Sequence, residues 1–148
     1  MPYHDDLLAQ AGHLAQLDRT RPKQVNLRRA ISAAYYAMFH LLIASAVNNW
    51  RIERQRADLS RAFEHKKMKG VCNNLVSRNA DLAMVAETFV VLQQNRHRAD
   101  YDNARVWTRV EVRDHIRSVK DAFAAWGRVR SQPQAQDFLL SLFVPERR

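Results

Sequence analysis

At 148 residues the chain has the length of one domain and enough material to bury a substantial core. Lysine and arginine total 24 against 15 acidic residues, a formal net charge of +9. An excess of that size attracts polyanions, nucleic acid first among them inside a cell, without specifying a sequence. Three glycines and four prolines favour helix over sheet, and the one cysteine, Cys72, excludes an internal disulfide. The longest apolar run, Leu41 to Val47, is far short of the roughly 18 residues of a membrane span, so no membrane partner is expected. The start, Met-Pro-Tyr-His-Asp-Asp, lacks the basic-then-apolar order of a signal peptide, and a cytoplasmic protein is expected.

In chain order, Asp5 can cap a first helix whose Leu7, Leu8, Ala11, Leu14 and Ala15 form one apolar face. Arg-Thr-Arg-Pro at 19–22 breaks it, with Pro22 placed to open the next helix. From Asn26 to Trp50, Leu27, Ile31, Ala34, Met38 and Leu41 recur at steps of four and three, and Ala30, Ala33, Ala37, His40 and Ala44 run beside them. Apolar residues therefore wrap most of the circumference, which makes this the central helix of a bundle. Tyr35, Tyr36 and Phe39 fill gaps between packed neighbours, and His40 reads as a core histidine.

The arginine-rich segment Arg51 to Arg61 has few apolar residues and reads as an exposed arm. Leu59, Phe63, Met68, Val71, Cys72, Leu75 and Val76 restore helical spacing, with His65 in Glu-His-Lys-Lys reading as solvent-facing or a cap. Asp81 can cap a short helix carrying Leu82, Val85, Phe89 and Leu92. The polar stretch from Gln93 to Arg105 then reads as a break between two apolar helices, the kind of joint where a site sits. Thr108-Arg-Val-Glu111 is a capping box, and Val112, Ile116, Val119, Phe123 and Trp126 follow as the seam of a packed helix. Arg109, Arg113 and Arg117, with Lys120, form a positive stripe on an adjoining face.

Beyond a short polar linker at 131–136, Phe138, Leu139, Leu140, Leu142, Phe143 and Val144 cannot all stay wet on a soluble monomer. That tail either folds back or docks on another subunit, and self-association is the favoured reading. The division expected is a helical bundle over 1–130 and a linker with an apolar docking segment over 131–148. Its fold class is all-α, an antiparallel bundle of four to five helices with a short apolar C-terminal helix. No two histidines stand at ligand spacing with a carboxylate or thiolate, so neither a metal nor a cofactor is expected. Cys72 lies on an apolar face, and glycine-rich phosphate loops are absent.

Leu27-Arg-Arg-Ala-Ile-Ser-Ala-Ala-Tyr-Tyr-Ala-Met-Phe-His40, His65 and Arg96-His-Arg-Ala-Asp-Tyr101 together resemble HEPN-domain proteins, in particular the small single-domain prokaryotic ones. The resemblance implies a helical bundle, usually dimeric, in a family that includes metal-independent ribonucleases of toxin–antitoxin and defence systems as well as noncatalytic RNA-binding or assembly modules. Catalytic members carry an Arg and a His separated by four to six residues. After Arg96 those positions hold Tyr101, Asp102 and Asn103, so the motif is not intact and enzymatic activity stays open. Metal-free RNA cleavage needs a base, an acid and a cation on the phosphate. Arg96 supplies the cation, and His97 and Asp100 are the candidates for the proton-transfer groups.

Three functions follow. The first is binding of RNA or a nucleotide-bearing partner through Arg96, Arg98, Arg105, Arg109, Arg113 and Arg117. The second is an active ribonuclease using Arg96 with His97 or Asp100, paired with an antitoxin or a nucleotidyltransferase-like protein. The third is a homo-oligomeric assembly module, expected as a homodimer, whose apolar tail docks on itself or on another protein and in which the charge is incidental. Arg96 and Asp100, four apart, can equally be a plain salt bridge, with Tyr101 packed on the central helix.

Overall fold

The computed structural model describes residues 2–144 and contains seven helices, with no strand among the described residues. These are α1 (Tyr3–Gln16), α2 (Gln24–Val47), α3 (Glu53–Ser60), α4 (His65–Asn74), α5 (Ala80–Tyr101), α6 (Arg109–Val129) and α7 (Pro133–Phe143). The fold is the expected all-α bundle; the helix that the apolar periodicity did not indicate is α3, in the segment read as an exposed arm.

Helix α2 is its axis. Leu27, Ala30, Ile31, Ala34, Met38 and Leu42 are all fully buried, because α1, α5 and α6 cover α2 on three sides. By length and composition alone α2 is long and apolar enough to cross a membrane, although its longest unbroken apolar run is short. Its most apolar window is 61% buried by the other helices, so here it is the core of the bundle. Side-chain contacts fix the directions. Tyr3 meets His40, and Arg28 reaches Ala99, so α1 and α5 both run antiparallel to α2. Arg128 meets Asp81, which sets α6 antiparallel to α5. Trp126, almost fully buried, donates its indole N–H to Ser45 Oγ at 2.8 Å and ties the end of α6 to the end of α2.

The capping box forms as read: the Thr108 hydroxyl accepts from the Glu111 amide, and Glu111 reaches back to the Thr108 N–H. Two other helix starts differ. Pro2, not Asp5, precedes α1, leaving Asp5 and Asp6 in its first turn, where they complement the helix dipole. Asn79, not Asp81, caps α5 by accepting from the Leu82 N–H.

The larger correction is the length of α5. The polar stretch from Gln93 does not break the helix; α5 continues to Tyr101, because Ala99 extends the buried face of Leu82, Val85, Phe89 and Leu92 by two turns. Arg98 lies on the outer side, while Arg96, between Leu92 and Ala99 on the inner stripe, turns toward α2. The tail folds back as α7, burying Phe138, Leu139 and Leu142 against α4 and α2 while Leu140 stays 53% exposed. Phe143 meets Phe63, and Phe138 meets Trp126.

Candidate functional site

The middle of α2 places Tyr35 and Phe39 on one row and Tyr36 and His40 on the next, each pair one turn apart. The N-terminus of α4 and the second half of α5 meet this aromatic surface. His65, the first residue of α4, stacks on Phe39 at 4.1 Å between ring centroids and has its Nδ1 2.5 Å from the Tyr35 hydroxyl. Arg96 of α5 sets its guanidinium carbon 5.6 Å from the Tyr35 ring centre and 5.5 Å from that of Tyr36, and donates to the Tyr36 hydroxyl at 3.3 Å. Tyr35 is fully buried, whereas Tyr36, His40 and His65 are half-buried and the Arg96 side chain is 18% exposed. The guanidinium thus lies at the rim of the cluster, backed by aromatic faces that favour a cation.

Arg96 and Asp100 form the i, i+4 ion pair at 3.1 Å, but the Arg96 Nε–H is buried and aimed at no acceptor. Gln93 Oε1, one turn earlier on α5, is likewise buried without a hydrogen-bond partner. Charge proximity without an aligned bond leaves donor capacity unused. The electrostatics follow from the crowding. Burial first, then the Arg96 charge and then His40, hold the His65 imidazole below its ordinary range. Burial, then His4, do the same to His40, over whose edge Tyr3 of α1 packs at 4.8 Å.

The sequence-derived candidates separate into groups. Arg96 and Asp100 stand together in the cluster. His97 does not join them: it is exposed on the next face of α5, 4.9 Å from the ring of Tyr101, which is itself 66% exposed and not packed on α2. Adjacent helical residues diverge by about 100°, so His97 and Arg96 cannot share one face. His65 takes the place beside Arg96 that reading it as a cap or surface residue denied it. His40 is half-exposed at the edge of the same cluster, where a core position was expected.

Arg105 is engaged with Glu111 and lies over the Trp107 ring at 4.4 Å. Burial acts to raise the Glu111 carboxyl, but hydrogen bonds from Thr108 and Arg105 outweigh it and hold it low. Arg109 is not part of a free stripe: its Nε donates to the Ala15 carbonyl at 3.0 Å, and its Nη atoms reach the carbonyls of Asp18 and Arg19. It satisfies carbonyls that the end of α1 leaves open. Arg98 and Arg113 are exposed and make no ion pair or side-chain hydrogen bond among the described residues, and Arg117 has only a loose contact with Asp114 at 3.8 Å. Arg113, Arg117 and Lys120 line a groove of about 260 Å³ between α6 and the Gly12–Gln16 end of α1. A further role missed in the sequence belongs to Arg28, which donates to the carbonyls of Ala99 and Arg105 and closes the end of α5. Among the described residues no three His, Cys, Asp or Glu side chains gather as a metal would require.

Among the described residues, the cluster of Tyr35, Tyr36, His40, His65 and Arg96 brings two half-buried imidazoles and a guanidinium to one rim of the bundle. The family model of the HEPN domain matches residues 5–128, and the chain belongs to that family. Members commonly dimerise and act on RNA or nucleotides. No curated protein and no solved structure matches the chain.

Proposed function

We propose that the protein binds RNA, with Arg96 anchoring a backbone phosphate and Arg98, Arg113 and Arg117 supplying outer, screened contacts. The observation that supports this most is the position of Arg96: a guanidinium held at a partly exposed rim by two tyrosine rings. A phosphate oxygen at that rim would meet the accessible part of the guanidinium and would gain the Tyr36 hydroxyl as a second donor. The +9 charge adds the nonspecific attraction that brings a polyanion to the rim.

Binding of a fluorescein-labelled single-stranded RNA, followed by anisotropy across a salt series, tests the reading. The logarithm of affinity is expected to fall linearly with the logarithm of salt, with a slope near −0.7 per phosphate contacted, and Arg96→Ala to weaken binding by about 10- to 100-fold. Affinity that is flat with salt, or unmoved by Arg96→Ala, would overturn it.

Metal-independent cleavage is a second reading, favoured by His65. A depressed imidazole is neutral near pH 7 and is the form that can accept a 2′-hydroxyl proton. On this reading His65, not His97, is the proton-transfer group beside Arg96. Cleavage lost in Arg96→Ala and His65→Ala but retained in His97→Ala would support it, and cleavage retained in all three would end it. A cytoplasmic homodimer, partnered by an antitoxin or a nucleotidyltransferase-like protein within a toxin–antitoxin or defence system, is the setting that suits either reading.

A further inference from the structure

The stretch joining α2 to α4 is not used by the Arg96 cluster. Trp50 is 48% exposed, whereas Trp107 and Trp126 are each only 2% exposed. A half-exposed indole is usually loose, but this one is held. Its Nε1–H donates to Gln55 Oε1 at 2.9 Å, and its backbone carbonyl accepts from Arg56 Nε at 2.9 Å, so α3 fixes both ends of the residue. Helix α3 itself buries no residue. Its one apolar contact with the core is the partly buried Leu59, and its sequence carries Arg54 and Arg56. Arg51 and Arg54 are exposed beside Trp50 and make no ion pair among the described residues. Arg61 is paired only with Asp58, both at the surface.

An exposed aromatic ring held by hydrogen bonds, with exposed arginines without ion pairs close to it in the chain, matches what an unstacked nucleobase and its phosphates need. Stacking uses the π-face, which every base has, and the arginines neutralise the adjoining backbone. An apolar protein partner would want a continuous hydrophobic stripe, and α3 has none. From this arrangement we infer that Trp50, with Arg51 and Arg54, is a stacking platform for one base of single-stranded RNA. The inference rests on the RNA binding proposed for the Arg96 cluster and adds a second contact point to it. His40 lies seven residues before the end of α2 at Val47, about 10 Å along its axis, and Trp50 follows three residues later, so one short oligonucleotide can reach both.

The intact protein carries its own reporter, since Trp50 is the exposed tryptophan. Titration with an unlabelled 12-nucleotide oligouridylate is expected to quench indole emission, in parallel with anisotropy measured on a labelled copy. Trp50→Ala, which removes a side chain outside the core, is expected to abolish the quench and to weaken binding roughly 5- to 100-fold. Arg96→Ala is expected to weaken binding while leaving the quench at saturation unchanged. RNA that binds by anisotropy with indole emission unmoved would overturn the platform and leave the Arg96 reading standing. Absence of any RNA binding would overturn both. An equal quench by polyglutamate would also overturn the platform, because it would show attraction to charge without base stacking.

Discussion

Replacing Tyr35 by Phe removes one oxygen from the centre of the site and little else. The ring stays in contact with Phe39, Tyr36 and Phe89, whose centroids lie 6.1, 5.2 and 5.6 Å away. What disappears is the bond between the hydroxyl and His65 Nδ1. The net value of such a bond is about 0.5–1.5 kcal/mol, and leaving a half-buried ring nitrogen without its partner raises the loss to about 1–3 kcal/mol. For a chain of this size that lowers Tm by roughly 2–12 °C. A double-mutant cycle isolates the pair: Tyr35→Phe, His65→Leu and the double variant, each unfolded in urea and followed by circular dichroism. A coupling energy of about 1 kcal/mol or more is expected. Additivity within about 0.5 kcal/mol would refute the claim that Tyr35 holds His65, and with it the account of why that imidazole stands beside Arg96.

Acid should destabilise the fold in the imidazole range. Burial leads the causes that depress His40, His65 and His115, so the unfolded chain binds protons that the folded chain resists. Stability is then full above the ordinary histidine value of about 6.5 and falls as pH drops toward the depressed folded values, which urea midpoints between about pH 7.5 and pH 5.5 will show. His65→Gln should flatten that slope, and an unchanged slope would count against the assignment. Arg109→Ala should cost about 2–4 kcal/mol by orphaning the carbonyls of Ala15, Asp18 and Arg19, with little effect on the salt slope of RNA binding. Arg113→Ala should do the reverse, changing stability by less than about 0.5 kcal/mol and reducing the salt slope by about 0.7. Cys72, 4% exposed and with its thiol pushed up to about 12 by burial, should resist alkylation in the folded protein and react once urea unfolds it.

Legibility in the sequence followed locality. The central helix, the capping box at Thr108 and the seam of α6 depend on residues within a few positions of one another, and their periodicity is strong. Helix α5 is different. Beyond Leu92 its only buried residue is Ala99, so Gln93 to Tyr101 looks polar even though one face still packs. His65 was hidden for a related reason: its neighbours in the chain are charged, while the rings that bury it come from α2, some thirty residues earlier. The available signal was the unpaired aromatic row of Tyr35 and Phe39, which shows that something must cover it without naming what. Arg109 was misjudged because a stripe of arginines ignores the neighbouring helix end. The open carbonyls at the end of α1 were the clue, since four acceptors there lack intrahelical donors.

The placement of α7 bears on more than burial. A ten-residue helix such as α4 is marginal by itself, and it owes its persistence to what lies against it. On one side that is α5; on the other it is α7, through the ring of Phe143 on Phe63 and the Lys67 ammonium donating to the Val144 carbonyl. The imidazole of His65 is therefore braced by a segment that, among the described residues, makes no hydrogen bond, ion pair or ring contact with Arg96, Tyr35 or Phe39. Tension or competition applied to that brace would be felt at the rim, which makes the rear of the molecule a handle on its front.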